Sequence, residues 1–422
     1  MDPAITTIVI MVITAVLLVT EWIPAAATAV LCAVSLALTG ILTPAQAFAQ
    51  FASTNIVLFA AMFILGQAFY KCGLAGDIAS YIRKFSKSEK KLVLAVLLVS
   101  GVLSAFMSNT TTTAVFLPLI IGLASATQYS RSKLLYTMMA SVGMGGCVTF
   151  LGGPGWLFTK AQIEAAHPDM VVSMFEVAKV TLPLFIITVI YMMVIGYKLI
   201  PDRAAKEELA ASDAETGKEV PAWQKKLTLI VMVLTILCML FSSQLGLNTT
   251  VIAVIGALII VLSGVMSEAE AYRAISWRTL FLFGGLLPLS TALTETGAGS
   301  MIANAILNMM GNTTNPYIIT AVCMLIPCVL SQFISNNTCM TLFTPLGVSV
   351  ALAINADPTA VIMAISVGAC IAIATPIGQP GNAMIYGPSG LRFSDYARPG
   401  LPLTIILYLV SVLLIPNVWP FF

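Results

Sequence analysis

Ser104, Ser108 and Asn109 stand at i, i+4 and i+5 of one apolar stretch, and Ser331, Ser335 and Asn336 repeat that spacing 227 residues later. Hydroxyl and amide oxygens with no carboxylate or imidazole among them suit a hard cation, which takes several oxygen ligands at once. A second pair of segments adds backbone ligands. Thr149-Phe-Leu-Gly152-Gly153-Pro154-Gly155 and Thr375-Pro-Ile-Gly378-Gln379-Pro380-Gly381-Asn382 share the pattern T-x-x-G-x-P-G at an offset of 226. Proline and glycine interrupt the helical hydrogen-bond ladder, so carbonyls near Gly152 and Gly378 are expected to be free for an ion. After each polar tip a new helix is expected to start, at Thr110 or Thr338, and its amide groups and partial positive charge favour an anion.

These residues must be carried by unusual elements. The apolar arm from Leu92 to Met107 is shorter than the roughly 20 residues a full span needs, so each tip is read as the turn of a re-entrant hairpin. Unpaired backbone at membrane depth is tolerated only where it lines a protein-walled cavity. The two tips, Ser104-Ala-Phe-Met-Ser108-Asn109-Thr110 and Ser331-Gln-Phe-Ile-Ser335-Asn336-Asn337, match in register and imply a duplicated fold. The first repeat is placed at 1–200, with its hairpin at about 92–126 and its broken helix at about 134–165. A cytoplasmic linker at 201–226 leads to the second repeat at 227–422, with hairpin and broken helix at about 316–354 and 358–390. Around them, helices are expected at 4–24, 25–42, 56–70, 180–199, 227–241, 251–266, 280–293 and 401–414. A polar connector is expected at 48–55, and a basic surface segment at 77–91 carries Arg83, Lys84 and Lys87.

Composition sets the class. Hydrophobic residues make up 59% of 422 positions and charged residues 9%, against roughly 25% charged in a soluble domain, so the chain reads as an all-α polytopic membrane protein. Threading it with both termini outside and five spans per half puts every Lys and Arg inside except Lys160 and Lys179, the bias expected for an inner (plasma) membrane protein. With five spans in each half, the two repeats have inverted topology.

No charged side chain occurs at 134–159, 296–356 or 358–391. An anion held there alone would be costly, so co-bound sodium ions are expected to supply the compensating charge. Proton coupling lacks an Asp, Glu or His at the tips. The eight cysteines read as core residues, since no C-x-x-C pair occurs. His167 reads as a loop residue, Lys160 and Lys179 as surface or snorkelling residues, and Glu21 and Glu295 as interfacial anchors. No zinc-type cluster or nucleophile-base pair is visible, so an enzyme is not expected. The basic residues sit in short loops, which gives no footprint for nucleic acid.

At the paired tips the sequence resembles the divalent anion:sodium symporter family, whose mark is an S-N-T tip in each of two hairpins. Ser108-Asn109-Thr110, with Pro118 downstream and Ser104 upstream, carries the likeness, which runs from about Glu21 to Pro416. The resemblance implies sodium-coupled transport of dicarboxylates, tricarboxylates or sulfate by a homodimer in the bilayer, in which a mobile domain slides past a fixed scaffold. It implies one sodium site at Ser104, Ser108, Asn109 and Gly152, and another at Ser331, Ile334, Asn336 and Gly378. It implies anion contacts at Ser108, Asn109, Thr110 and Pro154, and at Ser335, Asn336, Asn337, Gln379 and Pro380. Three departures stand out. Asn337 replaces the usual Thr, Gly153-Pro154-Gly155-Trp156 and Gln379-Pro380-Gly381-Asn382 replace a P-P-N run, and an extra first helix is missing, in keeping with an N-terminus outside. The alternatives are an anion exchanger of the same fold, a transporter of sulfate or another inorganic oxyanion, and a membrane receptor that binds without translocating.

Overall fold

The computed structural model describes residues 2–20, 22–74, 88–127, 129–168, 172–203, 221–241, 245, 247–299, 301–302, 315–376 and 378–422. Glu21, most of the basic segment, most of the linker and residues 303–314 lie outside them, as do Arg83, Lys84 and Lys87. Every regular element among the described residues is a helix. Among the described residues, four stretches are long and apolar enough to cross a bilayer: Pro44–Lys71, Ala178–Leu199, Ala222–Met239 and Phe393–Val418. Shorter apolar helices such as Pro3–Leu18, Thr249–Leu262 and Pro358–Cys370 accompany them. Apolar side chains stay exposed along their outer faces, among them Val12, Ile13, Ile186, Ile190, Leu409 and Leu413. Lipid suits such faces because every backbone group in the helix is already paired.

Each tip lies between two helices. The first has arms Glu89–Ser104 and Asn109–Thr127, the second Pro316–Leu330 and Asn336–Ala353. Their outgoing arms begin at Asn109 and Asn336, earlier than the expected Thr110 and Thr338. In the first, the Ser108 hydroxyl accepts from Thr111 N at 3.2 Å and so acts as the cap one residue upstream. The broken helices follow as Arg131–Gly145 with Pro154–Ala166, and Pro358–Cys370 with Pro380–Ser389. The connector expected at 48–55 is largely helical, because a capping box between Thr43 and Gln46 starts a helix at Pro44–Ala49 that runs on through Gln50–Ala52. The helix expected at 227 starts at Ala222, directly after Pro221.

The halves pack alike and then interlock. Ingoing arm Glu89–Ser104 lies on Arg131–Gly145, and Pro316–Leu330 lies on Pro358–Cys370. Ser141 Oγ donates to Leu97 O in the first pair, and at the matching point of the second, Gly368 leaves its Cβ position 2.6 Å from Met324 O. Each outgoing arm crosses to the other half: Asn336–Ala353 packs on Pro154–Ala166, and Asn109–Thr127 packs on Pro380–Ser389.

Candidate functional site

Each tip is tied to the break of its own half by the same pair of contacts. Thr149 Oγ1 donates to Ala105 O, and Thr375 Oγ1 donates to Gln332 O. Ser104, fully buried, donates to Asn109 Oδ1 at 2.8 Å. Gly146 backs this pair so closely that a Cβ there would sit 2.0 Å from Asn109 Oδ1, and one on Gly152 would sit 2.1 Å from Gly146 O. Ser104, Asn109, Gly146 and Gly152 thus share one small space with oxygen donors in it.

The second tip builds the counterpart with different partners. Ser331, also fully buried, donates to Ala369 O at 2.5 Å. With its amide turned so that nitrogen faces acceptors, Asn336 donates to Gly378 O at 2.7 Å and Ser331 Oγ at 2.6 Å. Its backbone N–H adds a bond to Gly378 O at 3.1 Å. The Gly378 carbonyl, expected to be free, therefore already has protein donors. At the first tip no matching bond joins Asn109 to Gly152, so the two centres are alike in plan and unequal in detail.

A third contact joins the halves. Helix Pro154–Ala166 starts from Gly153, which has no side chain to cap it. Asn337 Oδ1, from the other half, accepts from Gly155 N at 2.9 Å and supplies the cap. Gly155 permits this approach, since a Cβ there would lie 2.8 Å from Asn337 Oδ1 and 3.2 Å from its Cα.

The tips face one cavity of about 1140 Å³. Ser108, Asn109, Thr110, Gly152, Pro154, Ile334, Ser335, Asn336 and Asn337 line it, together with Thr111, Gly146, Thr338 and Trp156. No charged side chain is among the described lining residues. Ser104, Ser331 and Gly378 lie behind the wall. Gln379 does not reach the cavity: it is 1% exposed, packs against Gly143 and donates to Cys370 O at 3.5 Å. Nothing is described of the Pro380 side chain. The expectation that Lys160 lies at the surface is corrected, because it is 2% exposed and bonded to Glu164. Its helix, Pro154–Ala166, packs on Asn336–Ala353 and on Pro358–Cys370.

Sequence reasoning missed the opposite wall. Phe59, Met62, Phe63, Gly66 and Gln67 line the cavity from helix Thr54–Lys71 at i, i+3, i+4, i+7 and i+8. That spacing is legible, but an apolar stripe facing a cavity reads the same as one facing lipid. Near the cavity rim, Lys71 is spent on Glu270 at 2.7 Å, and that hydrogen bond pulls the Glu270 carboxyl down to about 2. The pair adds no free charge there.

Comparison with known proteins gives the family and the fold. The family model for citrate transporters matches residues 15–337 and 302–421. A sodium-dependent dicarboxylate transporter from Staphylococcus saprophyticus is 24% identical, over 94% of this chain and 82% of its own length. An uncharacterized transporter from Synechocystis sp. is 23% identical, over 97% of this chain and 96% of its own. Among solved structures, the crystal structure of the YdaH transporter from Alcanivorax borkumensis aligns with a TM-score of 0.65 at 15% identity, covering 99% of this chain and 98% of that one. At that identity the likeness is one of fold.

Proposed function

The chain belongs to the citrate transporter family and is an integral membrane transport protein, and from that premise we propose that it is a sodium-coupled symporter of small di- or tricarboxylates. The observation that carries this reading is the meeting of two Ser-Asn tips in one cavity whose described lining residues carry no charge. A multivalent anion in such a chamber needs compensating cations, and the described lining residues offer a cation neutral oxygens. Ser104, Ser108, Asn109 and the Gly152 region would hold one sodium ion. Ser331, Ile334, Asn336 and Gly378 would hold another. Anion oxygens would meet the amide groups at the starts of Asn109–Thr127 and Asn336–Ala353, along with Ser108, Thr110, Ser335 and Asn337. Sodium dependence in the staphylococcal relative's name supports the choice of ion.

The same proposal includes the motion. The hairpins and broken helices interlock across the halves and would move as one body past a scaffold formed by the remaining helices, in an inverted-repeat homodimer with both termini outside. The exposed residues at the cavity mouth, Gln67 and Phe393, lie close in sequence to Lys71 and Arg392, which positive-inside bias places in the cytoplasm. The described conformation would then be the inward-facing one. No covalent chemistry is assigned to the site.

Radiolabelled uptake into proteoliposomes over a panel of citrate, succinate, malate and sulfate tests the reading, with sodium replaced by potassium or choline. Accumulation driven by a sodium gradient is expected for a carboxylate. Uptake that ignores sodium and needs internal counter-substrate would make the protein an exchanger, and saturable binding without accumulation would make it a receptor.

A further inference from the structure

The cavity is open at one end and sealed at the other. Its mouth carries exposed residues, Gln67 and Tyr386 among them, whereas its far wall is made by Phe59, Leu157 and Leu282, none more than 9% exposed. Beyond that wall Phe59, Phe283 and Phe158 form a chain of rings. Their centroids are 5.1 Å apart for the first pair and 5.5 Å for the second, and no ring is more than 1% exposed. The chain links helix Thr54–Lys71 to Trp277–Glu295 and on to Pro154–Ala166. It closes the seam between the helix that holds the site and the helices across from it.

Lys160 lies on the far side of that seam. It sits one turn past Trp156 and Leu157 on the same helix, 2% exposed, and Glu164 is the acceptor it reaches among the described residues. Glu164 is 27% exposed and so connects the buried ammonium to the surface opposite the mouth. A buried ion pair is a poor device for stability, because desolvating two charges offsets most of their attraction. An ammonium with three donors and one carboxylate partner also keeps donor capacity in hand. An anion approaching the sealed end would meet Glu164 first, then Lys160, then the aromatic seam, then the cavity.

We propose that Lys160 is the anion-attracting residue of a second access route, shut in this conformation, that enters past Glu164 from the face opposite the mouth. The inference rests on the transporter reading above. While the rings are joined, Glu164 neutralises Lys160 and the route has no net charge to draw an anion. Once Phe158 parts from Phe283, the ammonium is uncovered at the head of the path and draws the substrate inward.

The test compares the two faces of the membrane, using right-side-out and inside-out vesicles with radiolabelled citrate and succinate in sodium. Lys160→Met keeps the apolar stem and removes the charge. It is expected to raise KM by about tenfold or more for substrate offered at the Glu164 face, and to leave KM at the mouth face within about twofold of wild type. Glu164→Gln is expected to lower KM at its own face alone. Unchanged KM at both faces, or an equal rise at both, overturns the proposal. The mouth-face KM is the internal control for folding, and if Lys160→Met does not fold, the one-sided effect of Glu164→Gln decides. Failure of the wild type to move either anion would sink the transporter reading instead, and is seen before any variant is compared.

Discussion

Replacing Asn336 by alanine separates the work this residue does for the fold from the work it does for the site. Asn336 is 8% exposed and its side chain reaches three acceptors, Gly378 O, Ser331 Oγ and Ala369 O. No partner is orphaned by the change. Gly378 O keeps the backbone N–H of residue 336, and Ser331 keeps Ala369 O. Losing neutral bonds of that kind costs about 1 to 3 kcal/mol, which lowers the thermal midpoint but leaves a folded protein. The positional loss is larger, because the ties that remain, the backbone bond to Gly378 O and the Thr375–Gln332 contact, hold the backbone but put no amide group beside Ser331. A shift of about 1 Å in positioned groups is worth about 100-fold in rate, so sodium-driven uptake is expected to fall to background. The assay is uptake in proteoliposomes, normalised to monodisperse protein, with the thermal midpoint measured on the same preparation. A variant that is destabilised as stated yet transports within about twofold of wild type would remove Asn336 from the site.

Gly155→Ala should displace the second tip and cut uptake by about tenfold, because its Cβ meets Asn337 Cα at 3.2 Å; Gly122→Ala, with nothing within 4 Å, is the matched control. Asp395→Asn weakens the two-bond pairing with Arg203 at 3.1 and 3.2 Å. With Arg203 about one-third exposed, the expected cost is about 1 to 3 kcal/mol in stability, read as a lower thermal midpoint with KM unchanged. Glu270 has a folded pKa of about 2, below its ordinary 4.5, so its pairing with Lys71 stabilises the fold above that range and is lost as pH falls from 4.5 toward 2. Lys71→Met should flatten that part of the stability profile, and an unchanged slope would show the pair to be idle. Asn337→Thr should cost about 1 kcal/mol through loss of the cap on helix Pro154–Ala166, measured as a thermal shift that disappears when Gly155 is already alanine.

The all-helical membrane fold was legible because two features have no soluble explanation, a composition with 9% charge and polar tips repeated in register. The tips were legible because Ser and Asn interrupt otherwise apolar arms, and the structure brings both to one cavity. Gln379 misled because a polar residue in a break looks available to solvent, whereas the glycine at 143 leaves it a slot to fill. Lys160 misled for a similar reason. A single lysine four residues before a glutamate reads as a solvated pair, and only the packing of the second hairpin and neighbouring helices over that face takes it out of water. The wall from Phe59 to Gln67 was hidden since periodicity marks a face without saying what the face meets.

The departures of this chain from the symporter pattern form one set when placed in space. In the second half, Asn382 donates to Thr375 O at 2.9 Å and so closes its own break from within. The matching position in the first half is Trp156, whose indole packs on Phe150 with ring centroids 6.2 Å apart and makes no such bond. The first break has lost its internal tie, and the helix after it starts from a glycine that cannot cap. Asn337 supplies what is missing, from the other half, and it can do so because residue 155 is also glycine. An exchange of Thr for Asn at one tip therefore compensates an exchange of Asn for Trp at the opposite break. The consequence is mechanical: the second tip cannot leave Pro154–Ala166 without uncapping it.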